Sequence, residues 1–322
     1  MNRLMTNLAA GAVAVAALAL PGAAFAQDSD AKATIGVSIP SATHGWTGGV
    51  NFHAQEAIDS LKQTYPNLTF VLATAGDPGK QVSDVEDMMA TRNIDALVIL
   101  PFESDPLTGP VKRVADAGKF VTVVDRGLAQ PGIQDLYVAG DNTAFGRVSG
   151  DYFKQKLPDG GKIVVLRRIA TTIDNERVDA FQKSIEGSKI EIEGMEHGDW
   201  NRDKAFEVMQ DFLSKHSRID AVWASDDDMA LGVIEAIKQA GREKEMWVLG
   251  GAGMKQMIEK VQSGDAMVPA DVTYPPSMIA TAIRLTADHF VSNAPMTGRF
   301  VLESVLVTPE NAKEHYFPDS PF

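Results

Sequence analysis

Apolar residues fall at helical spacing in several stretches of the chain and in short continuous runs in others. Val50, Ala54, Ala57, Ile58, Leu61 and Tyr65 lie on one face of a 3.6-residue period, which predicts a helix. Val82, Val85, Met88 and Met89 repeat the pattern, as do Phe206, Met209 and Leu213, and Val233, Ile234 and Ile237. Between these stretches lie β-rich runs: Thr34–Ile39, Thr69–Ala73, Ala96–Leu100 and Phe120–Val124. A second set reads Lys162–Leu166, Ile190–Met195, Ala221–Ala224, Met246–Leu249 and Ala266–Val268. Continuous apolar strands alternating with amphipathic helices predict an α/β fold with parallel sheets covered on both faces. So many strand–helix units exceed one comfortable sheet, so two doubly wound lobes are expected. The composition shifts near Val138–Asp141, where the first lobe is expected to give way to the second without a long linker.

The amino-terminal residues stand apart from this alternation. Asn2 and Arg3 precede an apolar run from Leu8 to Leu20, broken by Pro21-Gly22 and followed by Ala24-Phe25-Ala26. That is the layout of a cleaved secretory signal peptide covering residues 1–26. The run is shorter than the ~20 residues of a membrane span, and a retained anchor is the alternative.

The balance of 30 Lys+Arg against 43 Asp+Glu leaves a net charge of −13, unfavourable for contact with phosphate backbones, so no nucleic-acid partner is expected. There are no cysteines, which removes disulfides, thiolate nucleophiles, Cys-held metals and a lipidated anchor. An exported chain with no anchor points to the periplasm of a Gram-negative cell.

Motifs in a fixed order carry a resemblance. Ile35 to Pro40 is followed by His44-Gly-Trp46, and Val123-Val-Asp125-Arg126 ends the fourth strand. Then come Gly140-Asp-Asn142, Asn175-Glu-Arg177, Gly198-Asp-Trp200-Asn-Arg202 and Ala224 to Gly232. Taken together, these motifs show that the chain resembles the type I periplasmic binding proteins for ribose and related sugars, over essentially residues 34–308. The resemblance implies two lobes joined by a three-strand hinge, with crossings near 140, 270 and 300. The first lobe would hold 33–139 plus 271–299, and the second 140–270 plus 300–322.

Ligands of open α/β sheets bind outside the carboxyl ends of the strands, so polar residues there are the candidates. Asp125 can accept from neighbouring hydroxyls and Arg126 can donate with fixed geometry, or the two form a structural ion pair. Arg177 matches the family's second sugar-binding arginine. Asp226 stands where the family has Asn, and its neighbours Asp227 and Asp228 read as helix N-terminal residues. Trp46 and Trp200 match aromatic positions that could cover the apolar C–H faces of a sugar; ordinary core packing is the alternative. Trp223 and Trp247 lie inside apolar runs and read as core. His44 occupies a position that usually holds a ligand-bonding amide, with no partner at metal spacing. Asp141-Asn142 reads as a helix cap, and Glu103 is a weaker candidate near the cleft.

Two departures set the chain apart. Ala252 stands where the family has a ligand carboxylate. Near the second crossing the family has Gln, and a gapless reading puts Tyr274 there, with Asp271 or Thr273 as substitutes if the register shifts. The expected ligand is therefore a monosaccharide or sugar alcohol other than ribose, with no metal or cofactor. The expected partner is a membrane ABC permease, and the protein itself is expected to be a monomer. A periplasmic sensor subunit feeding a chemoreceptor or kinase is the alternative. Asp125 and Asp226 could mimic a glycosidase pair, but no nucleophile elbow, phosphate loop or His-Glu-x-x-His motif supports an enzyme.

Overall fold

The computed structural model describes residues 31–42 and 45–322. The expected signal segment 1–26 and His44 lie outside the described residues. The chain runs β1 (Ala33–Pro40), α1 (Gly45–Thr64), β2 (Leu68–Ala75), α2 (Pro78–Thr91), β3 (Ala96–Ile99), α3 (Ser104–Asp116), β4 (Phe120–Val124) and β5 (Leu136–Gly140). It continues with α4 (Asn142–Lys156), β6 (Gly161–Arg167), α5 (Thr172–Ile185), β7 (Ile190–His197), α6 (Arg202–Lys215), β8 (Ala221–Trp223), α7 (Asp227–Gln239), β9 (Trp247–Leu249) and α8 (Lys255–Ser263). Then follow β10 (Asp271–Val272), α9 (Met278–Val291), β11 (Gly298–Leu302) and β12 (Leu306–Val307).

Two parallel sheets organise these elements. The first has six strands in the order β11-β5-β4-β3-β1-β2, and the second has four in the order β7-β6-β8-β9. β3 and β4 are buried along their whole length, as strands covered on both faces must be. The predicted helical faces turn inward: Val50, Ala54, Ala57 and Ile58 of α1, and Val85 and Met88 of α2, are buried. Asp141 caps α4 by accepting from Ala144 N at 2.8 Å. The chain passes between the lobes after β5, at β10 and after β11, and β10 pairs antiparallel with β12.

Two expectations are corrected. Ala266–Val268 is not a strand; Met267 and Val268 are buried in a connection held to β9 by one bond, Val248 N to Met267 O at 2.8 Å. β11 has no counterpart among the expected strands, because it is an edge strand without a continuous buried run: Phe300 is 43% and Val301 45% exposed. It pairs with β5 from Gly298 through Leu302.

Helices α4 and α5 approach so closely that no side chain fits at Gly146. A Cβ built there would lie 2.0 Å from the backbone oxygen of Arg177. This contact fixes the height of α5, and with it Arg177, above the second sheet.

Candidate functional site

The strands of both sheets end around one cavity. Asp125 and Arg126 reach it from the end of β4, Trp46 from the first turn of α1, and Ile173 and Arg177 from α5. Trp200 follows β7, Asp226 follows β8, Ala252 follows β9 and Tyr274 follows β10. Asp125, Arg126, Ile173 and Trp200 also line a wider cleft, whose walls include Glu103, Arg202 and Asp228.

Backbone conformation explains how these side chains turn inward. Among the described residues, seven non-glycine residues have positive φ. Five of them, Asp125 (59°), Asp199 (56°), Trp200 (55°), Ser225 (54°) and Ala252 (142°), sit just past the carboxyl ends of β4, β7, β8 and β9. Such conformations are costly for L-residues and cluster where a site over-determines them. At Asp125 the turn is held by its own N–H on Val138 O at 2.8 Å and by the Tyr137 hydroxyl, which donates to the Asp125 carbonyl.

The polar groups divide between the lobes. Asp125 is buried, and its Oδ1 accepts from Tyr274 Oη at 2.5 Å. Arg126 donates to the Phe102 carbonyl, and its guanidinium lies 5.8 Å from the Trp200 ring centroid. Trp46 Nε1 donates to Tyr274 O at 2.9 Å, which sets the indole against the cavity. From the second lobe, Arg177 Nε donates to Asn142 Oδ1 at 2.7 Å. Its guanidinium lies 4.2 Å from the Phe145 ring and 4.0 Å from the Tyr274 ring. Both rings occupy space that glycines leave open: a Cβ at Gly251 would be 2.1 Å from Phe145, and one at Gly140 would be 2.2 Å from Tyr274. Asp226 caps α7, accepting from Met229 N at 3.0 Å, and burial with the nearby Asp227 and Asp228 pushes its carboxyl up to about 7.

Seven of the eight residues singled out from sequence therefore line one cavity; the eighth, His44, lies outside the described residues. Of the three residues considered at the second crossing, Tyr274 is in the cavity. Thr273 Oγ1 accepts from Val305 N, and Asp271 is buried elsewhere. Trp223 is in the core, and Trp247 packs on Phe153 at 4.5 Å. Glu103 is the N-cap residue of α3 at the cleft wall.

Asp227 and Asp228 do more than line a helix terminus. Asp228 Oδ2 accepts from Gly45 N of the other lobe at 3.1 Å, and its Oδ1 pairs with Arg202 at 2.9 Å. Asp227 accepts from Gly251 N at 2.6 Å and Met254 N at 2.7 Å. Its carboxyl meets that of Asp271 above Gly250, where a Cβ built on the glycine would lie 2.3 Å from Asp227 Oδ1 and 3.2 Å from Asp271 Oδ1. Both groups are fully buried, where two neighbouring negative charges are costly. Desolvation and their mutual repulsion hold Asp227 well above the carboxylate range, and burial pushes Asp271 up to about 7. A raised folded-state pKa favours the protonated fold, so this contribution is complete below an unfolded pKa of about 4 and is lost as pH rises through about 7. Asp271→Asn is neutral at every pH. Its melting temperature is expected to exceed that of the wild type at pH 8 but not at pH 4. Parallel melting curves across that range would contradict the raised pKa of Asp271.

Sequence reasoning missed Phe145, inside α4, and Arg168, just past β6. The strand-end rule that selected Asp125 also selects Arg168; Phe145 needed knowledge of Gly251 across the fold.

Comparison with known proteins gives a consistent picture. A family profile described as a periplasmic binding protein domain matches residues 35–293. The ribose import binding protein of Escherichia coli (strain K12) is 29% identical over 305 residues, covering 94% of this chain and 100% of that protein. The xylitol-binding protein of Mycolicibacterium smegmatis is 27% identical over 312 residues, covering 95% and 84%. A crystal structure of an ABC transporter solute binding protein from Mycobacterium smegmatis with bound glycerol superposes with a TM-score of 0.76 at 27% identity, covering 90% of this chain and 98% of that one.

Proposed function

The chain belongs to the periplasmic binding protein family, and on that premise we propose that it captures one monosaccharide or sugar alcohol between its lobes. The observation that carries this reading is the convergence of two carboxylates, two guanidiniums and two indoles on one cavity. Asp125 and Asp226 are acceptors for vicinal hydroxyls, and Arg126 and Arg177 are donors. Trp46 and Trp200 offer flat apolar surface to C–H faces. Two negative and two positive side chains balance, which suits a neutral ligand better than an acid or an amine. The chemistry is capture and release, with no covalent step, and delivery is to an ABC permease from the periplasm. The names of the relatives support a sugar or polyol, including those described as binding ribose and xylitol.

Ribose is not the favoured ligand. Ala252 contributes no acceptor at the end of β9, and the Tyr274 hydroxyl is already engaged by Asp125. A thermal-shift panel of pentoses, hexoses and linear sugar alcohols tests this, because a ligand bound only to the native state raises its stability by mass action. At least one member other than ribose is expected to raise the melting temperature more than ribose does. Ribose giving the largest shift of the panel would overturn the ligand preference, and no shift from any member would overturn the function.

A further inference from the structure

Arg168 lies outside the cavity lining, at the carboxyl end of β6, and is 0% exposed. Its Nη1 donates to Ser225 O at 2.9 Å, the carbonyl immediately before Asp226. Its only ion-pair partner among the described residues is Asp174, with Nη2 3.6 Å from Oδ1, beyond hydrogen-bond length. Asp174 is already engaged by Arg167, at 2.8 Å from Nε and 2.6 Å from Nη2. Arg168 Nε and Nη2 are buried with no hydrogen-bond partner. A guanidinium held this way is costly, since breaking or starving a buried charge pair leaves desolvation uncompensated.

The surroundings of Asp226 give that charge a use. Asp227 and Asp228 on α7 and Asp271 on β10 are all acidic and face Asp226. Asp125, Arg126, Tyr274 and Arg177 share its cavity. Arg126 is engaged by the Phe102 carbonyl and Arg177 by Asn142. The cation joined to the backbone turn that presents Asp226 is Arg168, and that turn is the left-handed Ser225, whose hydroxyl also donates to Leu166 O at 2.7 Å.

We propose that Arg168 is a positioning residue that fixes the Ser225 turn and opposes protonation of Asp226, the acceptor of two ligand hydroxyls. The use made of that carboxylate rests on the function proposed above; the effect of Arg168 on its titration does not. Burial and the neighbouring acids push Asp226 up, and Arg168 acts against them.

The test is a ¹³C-carboxyl NMR titration of ligand-free protein, with Asp226 assigned through Asp226→Asn. Arg168→Gln keeps a donor for the Ser225 carbonyl and loses the charge, whereas Arg168→Lys keeps the charge. Removing an adjacent cation raises an acid's pKa, so the Asp226 midpoint is expected to rise by about one pH unit in Arg168→Gln and to stay near wild type in Arg168→Lys. Arg168→Met replaces the glutamine variant if that does not fold. A neutral variant titrating as wild type, or Gln and Lys variants titrating alike, overturns the proposal. With a ligand from the panel, the acid limb of affinity is expected to move up by the same interval in Arg168→Gln. Should no polyol bind the wild type, the function fails while the titration still decides the role of Arg168.

Discussion

Asp125→Ala is expected to weaken ligand binding at least about 100-fold while leaving the fold intact. The carboxylate is buried at the end of β4 and bonded to Tyr274 Oη. Truncation removes an acceptor for ligand hydroxyls and leaves the buried Tyr274 hydroxyl unpaired. Charge-assisted hydrogen bonds contribute about 1.5–3 kcal/mol each, and losing one partner of a buried set costs about 2–5 kcal/mol. Tenfold in affinity is about 1.4 kcal/mol, so two orders of magnitude is the conservative end. Burial also holds Tyr274 far above the usual tyrosine pKa, with Asp125 adding to the effect, so the phenol stays a donor. Calorimetry on a variant with wild-type circular dichroism checks this. Unchanged affinity would remove Asp125 from the site.

Gly146→Ala is expected to give the largest loss of stability of any single methyl addition to the second lobe. Its Cβ would sit 2.0 Å from the Arg177 carbonyl oxygen and 2.9 Å from Phe181 N, both backbone atoms that no rotamer change can move. α4 and α5 must separate, at a cost of about 3 kcal/mol for overpacking. In a protein of this size that lowers the melting temperature by roughly 5–10 °C. Because α5 carries Arg177, ligand affinity should fall as well. Gly48→Ala is the matched control: it is also helical, with nothing within 4 Å of its Cβ, and should melt at or slightly above wild type. Equal melting temperatures for the two variants would mean that the helices do not cross as closely as described.

The parts of the molecule legible in the sequence are those where burial and periodicity say the same thing. β3 and β4 are buried on both faces, so their composition alone marks them. β11 could not be read, because an edge strand with exposed Phe300 and Val301 carries no such run. Ala266–Val268 misled for the converse reason: Met267 and Val268 are apolar because they are buried, while their connection permits one sheet bond. Asp125, Arg126, Trp200 and Asp226 were legible because each follows a strand, where α/β sheets place ligands. The contacts of Asp228 with Gly45, of Asp227 with Asp271, and of Phe145 with the space above Gly251 join positions far apart in sequence. No local pattern encodes them.

The proposed division of the site between lobes is open to a direct measurement. Arg126 belongs to the first lobe and Arg177 to the second, and both line the cavity. Isothermal titration of the best ligand from the panel into wild type, Arg126→Ala and Arg177→Ala compares them. One ligand per chain is expected in the wild type, with affinity reduced at least about tenfold in each variant, the loss of one charge-assisted bond. Wild-type affinity in either folded variant would mean that the ligand is held by one lobe alone, and would contradict capture between the two.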